Sequence, residues 1–306
     1  MKNTEHTNQS FYALYQNLIE SRSWHIDKKY AMQMLNRLVA QTEMSKQEIA
    51  VDIRQRKAEL IPKLIVKKGE GFNTVEKYDM NSSDTPFGSI LELSLMGAMT
   101  VEGDWCSYGM YDFEKWIYEA NQSSRIDGIF IRANTPGGEA LAGQVLNNAI
   151  LDSKKIVVVY TDLLASAGIL GTLAADEIIA SGEQTEIGSI GVYLNINKAT
   201  VEYLKANIDA IYSEKSPNKN LGIREYMSGN PDFLVQEVTQ SDTLFMDEYL
   251  KFRTLLGDAQ QKQDTLSGHL YFANEALNRG LIDGIGTRQY ALSRLQTLIN
   301  NSKKNY

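Results

Sequence analysis

The chain has 306 residues, 43% of them hydrophobic and 23% charged, which is the composition of a folded globular protein and excludes a disordered or fibrous one. A formal net charge of −7 argues against nucleic acid as a partner, because neutralising phosphates takes concentrated Lys and Arg, and these occur here only in short runs of mixed sign. The single cysteine, Cys106, can close no internal disulfide, and without a CxxC or a Cys/His cluster the chain is expected to hold no metal and to suit a reducing compartment.

The opening stretch MKNTEHTNQSFYALYQNLIES lacks the apolar core and small-residue cleavage site of a signal peptide. No window approaches the ~18 uninterrupted apolar residues of a membrane span, so a cytoplasmic protein is expected. Over residues 10–60 a helical pattern is predicted: Phe11, Leu14, Tyr15, Leu18 and Ile19 recur at helical spacing, and MSKQEIAVDIRQRKAELI is rich in helix formers. Residues 1–66 therefore read as a helical appendage, and 67–88, KKGEGFNTVEKYDMNSSDTPFG, as a polar linker that breaks the periodicity. A second domain is expected over 89–306.

That domain opens with a strand at 89–97 and continues with a helix at 111–122, a strand at 126–133, a helix at 138–151, a strand at 155–161, a helix at 165–175 and a strand at 177–181. Alternation of this kind, with nearly continuous apolar strands, predicts an α/β protein built on a mostly parallel sheet covered by helices. Ligands in such folds sit at the carboxyl ends of the strands. Two turns at those ends carry unusual residues: NTPGGE after Ala133 and DLLASAG after Thr161. Farther on, Leu234, Val238, Phe245, Tyr249, Phe252 and Leu256 form one helical stripe, expected to be a core or subunit-contact face.

A Gly-Gly turn that opens a helix can be a turn and nothing more, or it can offer N–H groups to a developing oxyanion. Ser166, between alanines at the head of an apolar run, can be a helix cap, a buried spectator or a nucleophile. A nucleophile needs a base. His6 and His25 lie in the appendage and His269 far downstream, so a Ser-His-Asp triad is not expected. The remaining base is a lysine held neutral; Lys215 and Lys219, after the predicted strand IDAIYS, are the candidates.

Five blocks in order, IDGIFIRANTPGG, VVVYTDLLASAGILGTLAADEIIAS, EIGSIGVY, IDAIYSEKSPNKN and YFANEALNRGLIDGIGT, resemble peptidase family S49, which includes signal peptide peptidase A and phage head-maturation proteases. The resemblance covers residues 88–290. It implies a Clp-protease/crotonase fold, a spiral of strand–strand–helix (ββα) units, and serine peptide hydrolysis with a lysine base and no cofactor. Carried over residue by residue, the nucleophile falls on Ser166, the base on Lys219 with Lys215 in reserve, the lysine-orienting hydroxyl on Ser189, and the oxyanion hole on Gly137 or Gly138 together with Ala167. The lysine block departs from the family pattern Ser-Gly-x-x-Lys-Asp and reads SEKSPNKN; Lys219 stands 30 residues beyond Ser189. The resemblance further implies a homo-oligomer whose sites are shared between subunits and a polypeptide substrate. The segment SRSWHIDKKYAMQMLNRL is similar to leader regions of phage members, which process capsid or scaffold proteins. A catalytically silent assembly protein on the same fold is the alternative; acyl-CoA chemistry is a weaker third reading.

Overall fold

The computed structural model describes residues 24–26, 55, 57–69, 71–75, 79–103 and 107–304. Most of the helical appendage expected over 10–60, with His6 and Cys106, lies outside them. The elements in chain order are β1 (Trp24–Ile26), β2 (Lys63–Lys68), β3 (Gly71–Val75), β4 (Ser89–Met96), α1 (Met110–Gln122), β5 (Ile126–Thr135), β6 (Gly137–Glu139), α2 (Ala140–Leu151), β7 (Ile156–Ala165), α3 (Ala167–Thr172), β8 (Glu177–Ala180), β9 (Glu186–Gly188), α4 (Lys198–Asn207), α5 (Leu221–Met227), α6 (Asp232–Phe252), α7 (Ala259–Thr265), β10 (Leu270–Phe272), α8 (Ala273–Asn278), β11 (Gly284–Ile285) and α9 (Arg288–Lys304).

The main sheet runs β10-β9-β7-β5-β4-β2-β3, with β8 also on β7 and β11 beside β8. Its centre, β4, β5, β7 and β8, is parallel, and residues on both faces are buried. Leu91, Leu93, Leu95, Ile129, Ile131, Val157 and Val159 face one core with α1 and α2, while Ile90, Phe130, Val158 and Ile179 face a second core closed by Leu292, Leu295 and Ile299 of α9. Burial on both sides is why these strands read as apolar runs rather than alternations. The units β5-β6-α2 and β8-β9-α4 repeat one strand–strand–helix order, the architecture expected from the sequence.

Three sequence expectations fail here. Residues 63–75, assigned to the end of the appendage and the linker, form the hairpin β2-β3, which extends the sheet antiparallel to β4. Its short apolar core, Leu64 and Ile65, feeds both faces, and Gly69 at φ 64° turns the chain, so lysine-rich flanks had disguised a strand. Trp24–Ile26, inside the predicted helical region, is extended because it pairs with β6. IDAIYS is not a strand: no described strand lies beside it, and Ile211 stands 97% exposed. Of the predicted stripe, Phe245 and Tyr249 on α6 are fully buried, Leu234, Val238 and Phe252 are half-buried, and Leu256, beyond the helix, is exposed; burial pushes the Tyr249 hydroxyl up in pKa. Arg253 at the end of α6 donates to the Leu173 and Ala175 carbonyls and to Asp283, tying the loop after α3 to the sheet. Among the described residues no helix is long and apolar enough to cross a membrane.

Candidate active site

Strand β7 pairs with β9 up to its last residue, Ala165, and Ser166 follows directly. The main chain there adopts φ 54°, ψ −117°, outside the regions an L-residue favours, at a cost of roughly 1–3 kcal/mol that the surroundings must impose. They do so with hydrogen bonds. The Ser166 N–H donates to the Gly188 carbonyl at 2.9 Å, and the Ser189 N–H donates to the His269 carbonyl at 2.7 Å. Gly188 itself, at φ 133°, has no room for a side chain: a Cβ would lie 2.4 Å from the His269 oxygen.

Ser166 heads α3 but does not cap it. Its side chain accepts nothing from the helix, and its Oγ has a single long bond to the Gly191 carbonyl at 3.5 Å, near the limit of what counts as one. Nor is it a well-satisfied spectator, although the residue is only 1% exposed. Ser166 thus combines a strained backbone with a weakly held hydroxyl at a strand–helix junction, an arrangement compatible with a nucleophile. The Ala167 N–H stands in the first turn of α3, where no intrahelical carbonyl can serve it.

The Gly137–Gly138 pair lies in β6, which packs against α3. The Met99 N–H donates to the Gly137 carbonyl and the Glu139 N–H to the Met99 carbonyl, both at 2.9 Å. Because polar groups of successive strand residues point to opposite edges, Gly138 turns its N–H and C=O away from Met99. The Gly137 N–H is taken by the Thr135 hydroxyl at 3.2 Å. The structure thus separates two glycines that the sequence left equivalent: Gly138 faces outward and Gly137 does not. Gly138 must lack a side chain, since a Cβ would sit 2.0 Å from the Met99 oxygen, while Gly137 supplies a left-handed turn at φ 95°.

Ser189 follows Gly188 at φ 56° and lines a cavity of about 570 Å³ with Gly191, Tyr193, Asp242 and Met246. Asp242 accepts the Val192 N–H at 3.1 Å, and burial pushes its carboxyl up in pKa, partly offset by that bond. Sequence reasoning missed Asp242, Gly188 and the His269 carbonyl; only a chain reversal that returns residue 269 beside residue 189 brings them to the site. The His269 side chain is exposed and lies edge-on to Tyr271, and Ser166 makes no bond to it. The structure does not bring Lys219 or Lys215 to Ser166. Both are exposed, and the Lys219 ammonium makes no hydrogen bond or ion pair among the described residues. No group of His, Cys, Asp and Glu suited to a metal occurs among the described residues.

The model of peptidase family S49 matches residues 149–302, which contain Ser166, Ser189 and Lys219. A protease-named protein of Methanocaldococcus jannaschii is 26% identical over 60% of this chain and 60% of its own length. Protease 4 of Salmonella typhi is 28% identical over 60% of this chain and 30% of its own. This chain therefore spans less than two thirds of either relative. Among solved structures, ClpP1 from Listeria monocytogenes is similar at 19% identity and a TM-score of 0.37, covering 66% of this chain and 94% of that one.

Proposed function

Because the chain belongs to peptidase family S49, we propose that it is a serine endopeptidase in which Ser166 is the nucleophile and Lys219 the base. The observation that carries this reading is the strained, uncapped Ser166 at the end of β7, with the Ala167 N–H beside it and Gly138 facing outward from β6. In the proposed reaction a neutral lysine amine takes the Ser166 proton and Oγ attacks a peptide carbonyl. The oxyanion accepts from the Gly138 and Ala167 N–H groups. Collapse breaks the C–N bond, and the leaving amine receives the proton from the lysine ammonium. Water, deprotonated by the same amine, then hydrolyses the ester on Ser166. A lysine acts as base only when deprotonated, so activity is expected to rise toward mildly alkaline pH.

Since no hydrogen bond joins Lys219 to Ser166 within one chain, the reading includes a homo-oligomer in which a neighbour supplies the lysine and Ser189 of the serine-bearing chain orients it. Its proposed substrates are polypeptides, with capsid or scaffold proteins of a phage-type assembly foremost, given the leader-like segment around residues 21–38. The solitary Lys219 is also what favours the alternative of a silent assembly protein. Intact mass after a fluorophosphonate probe at pH 8 separates them. Labelling of the parent that is lost in both Ser166→Ala and Lys219→Ala is expected. A fully assembled parent that takes up no label overturns the peptidase reading, and loss of label in Lys215→Ala instead moves the base to Lys215.

A further inference from the structure

The described residues before residue 55 are only Trp24–Ile26, and they form a strand against β6, the strand that carries the Gly-Gly pair. Pairing is antiparallel, with Trp24 opposite Glu139, His25 opposite Gly138 and Ile26 opposite Gly137. Gly137 spends its carbonyl and Glu139 its N–H on Met99, so the edge that β1 meets is the edge onto which Gly138 turns its N–H and C=O. The residue facing that N–H is His25. An extended peptide about to be attacked must present one backbone carbonyl to the oxyanion donor, with its chain running along the donor strand. β1 has that arrangement. Gly138 and Ser166 are both buried in the chain as it stands.

We propose that the strand Trp24–Ile26 is an intrachain occupant of the substrate-strand site, docked along β6 so that the His25 carbonyl takes the place of the carbonyl to be attacked. This rests on the peptidase reading of Ser166 and Gly138, and it adds that the enzyme's first competitor is its own amino-terminal segment. Recognition is by main-chain hydrogen bonds, as in strand addition to any open edge. An external polypeptide binds only after β1 leaves, so the site opens to a substrate extended enough, or concentrated enough, to displace it.

The test uses full-length chains carrying Ser166→Ala, so that no turnover intervenes, and a fluorescein-labelled peptide with the sequence of residues 21–30, followed by anisotropy. Replacing His25 by proline removes the N–H that faces the Gly138 carbonyl. Replacing Ile26 by proline removes one that points away from β6, and serves as the register control. The peptide is expected to bind His25→Pro about three- to tenfold more tightly than its parent, the equivalent of one lost hydrogen bond, with Ile26→Pro unchanged. Amide exchange at Gly138 should quicken in His25→Pro alone. Equal affinities in all three chains, or no saturable binding to His25→Pro, overturn the proposal. Fluorophosphonate labelling of the Ser166-bearing parent reports separately on the peptidase reading: a chain that labels but shows equal affinities retains the enzyme and loses the occupant.

Discussion

At Ser166 the chain accepts a locally unfavourable backbone and a poorly satisfied hydroxyl, and neither helps the fold. Both make sense for a group held ready to react. Gly138 is the complementary residue, featureless so that β6 can lie against Met99. Its replacement by alanine forces a methyl group to within 2.0 Å of the Met99 oxygen, so β6 must move away and carry the Gly138 N–H with it. For Gly138→Ala we expect kcat on a peptide substrate to fall by about 10²–10³, the usual cost of a misplaced oxyanion donor, while far-UV circular dichroism stays near the parent's. Undiminished kcat would move the oxyanion hole elsewhere. The turns that carry Ser166 and the glycine pair were legible in the sequence because strand-to-helix turns have a recognisable pattern. The choice between Gly137 and Gly138 was not, since it depends on which edge of β6 Met99 occupies.

Elements whose partners lie nearby in the chain, such as β4, α1, β5 and α2, could be read from periodicity. Those whose partner is remote could not: β2 and β3 hid in a polar stretch, and β9 meets β10 only because residues 186–188 and 270–272 are brought together by the fold. The segment 189–193 is likewise held from a distance, by Asp242 of α6 through the Val192 N–H. Burial raises the Asp242 pKa, so its folded-state value exceeds its unfolded one. The carboxyl therefore favours the fold when protonated, and that contribution is lost as pH rises through the raised folded-state pKa. Asp242→Asn retains an acceptor for Val192 without a charge. Its Tm should exceed the parent's at pH 7, and the two should converge near about pH 3, where the parent carboxyl is neutral. A Tm lower than the parent's at pH 7 that matches it near about pH 3 would show that the charge itself holds the segment.

At the scale of the whole molecule, the stretch that carries Lys215 and Lys219 is exposed along most of its length. Ile208 and Ile211 are exposed, as is Tyr203 on α4. The strand pattern of IDAIYS was a sound reading of composition, but a strand needs a partner, and no described strand pairs with this one. An assembly that supplies that edge would also carry Lys219 toward a neighbour's Ser166. Mixed Ser166→Ala and Lys219→Ala chains, each silent alone, should then regain about a quarter of the parental sites after dissociation and reassembly in equal amounts, as random pairing in a closed ring dictates. No recovery would confine each site to one chain. The hydrogen bonds that pose Ser166 carry a different message about time: the strained serine leans on Gly188, and the next residue, Ser189, leans on His269, more than a hundred residues after the serine itself. A chain still being synthesised has no such support until residue 269 has been made. The pose of Ser166 is in this way completed by the order in which its supports arrive.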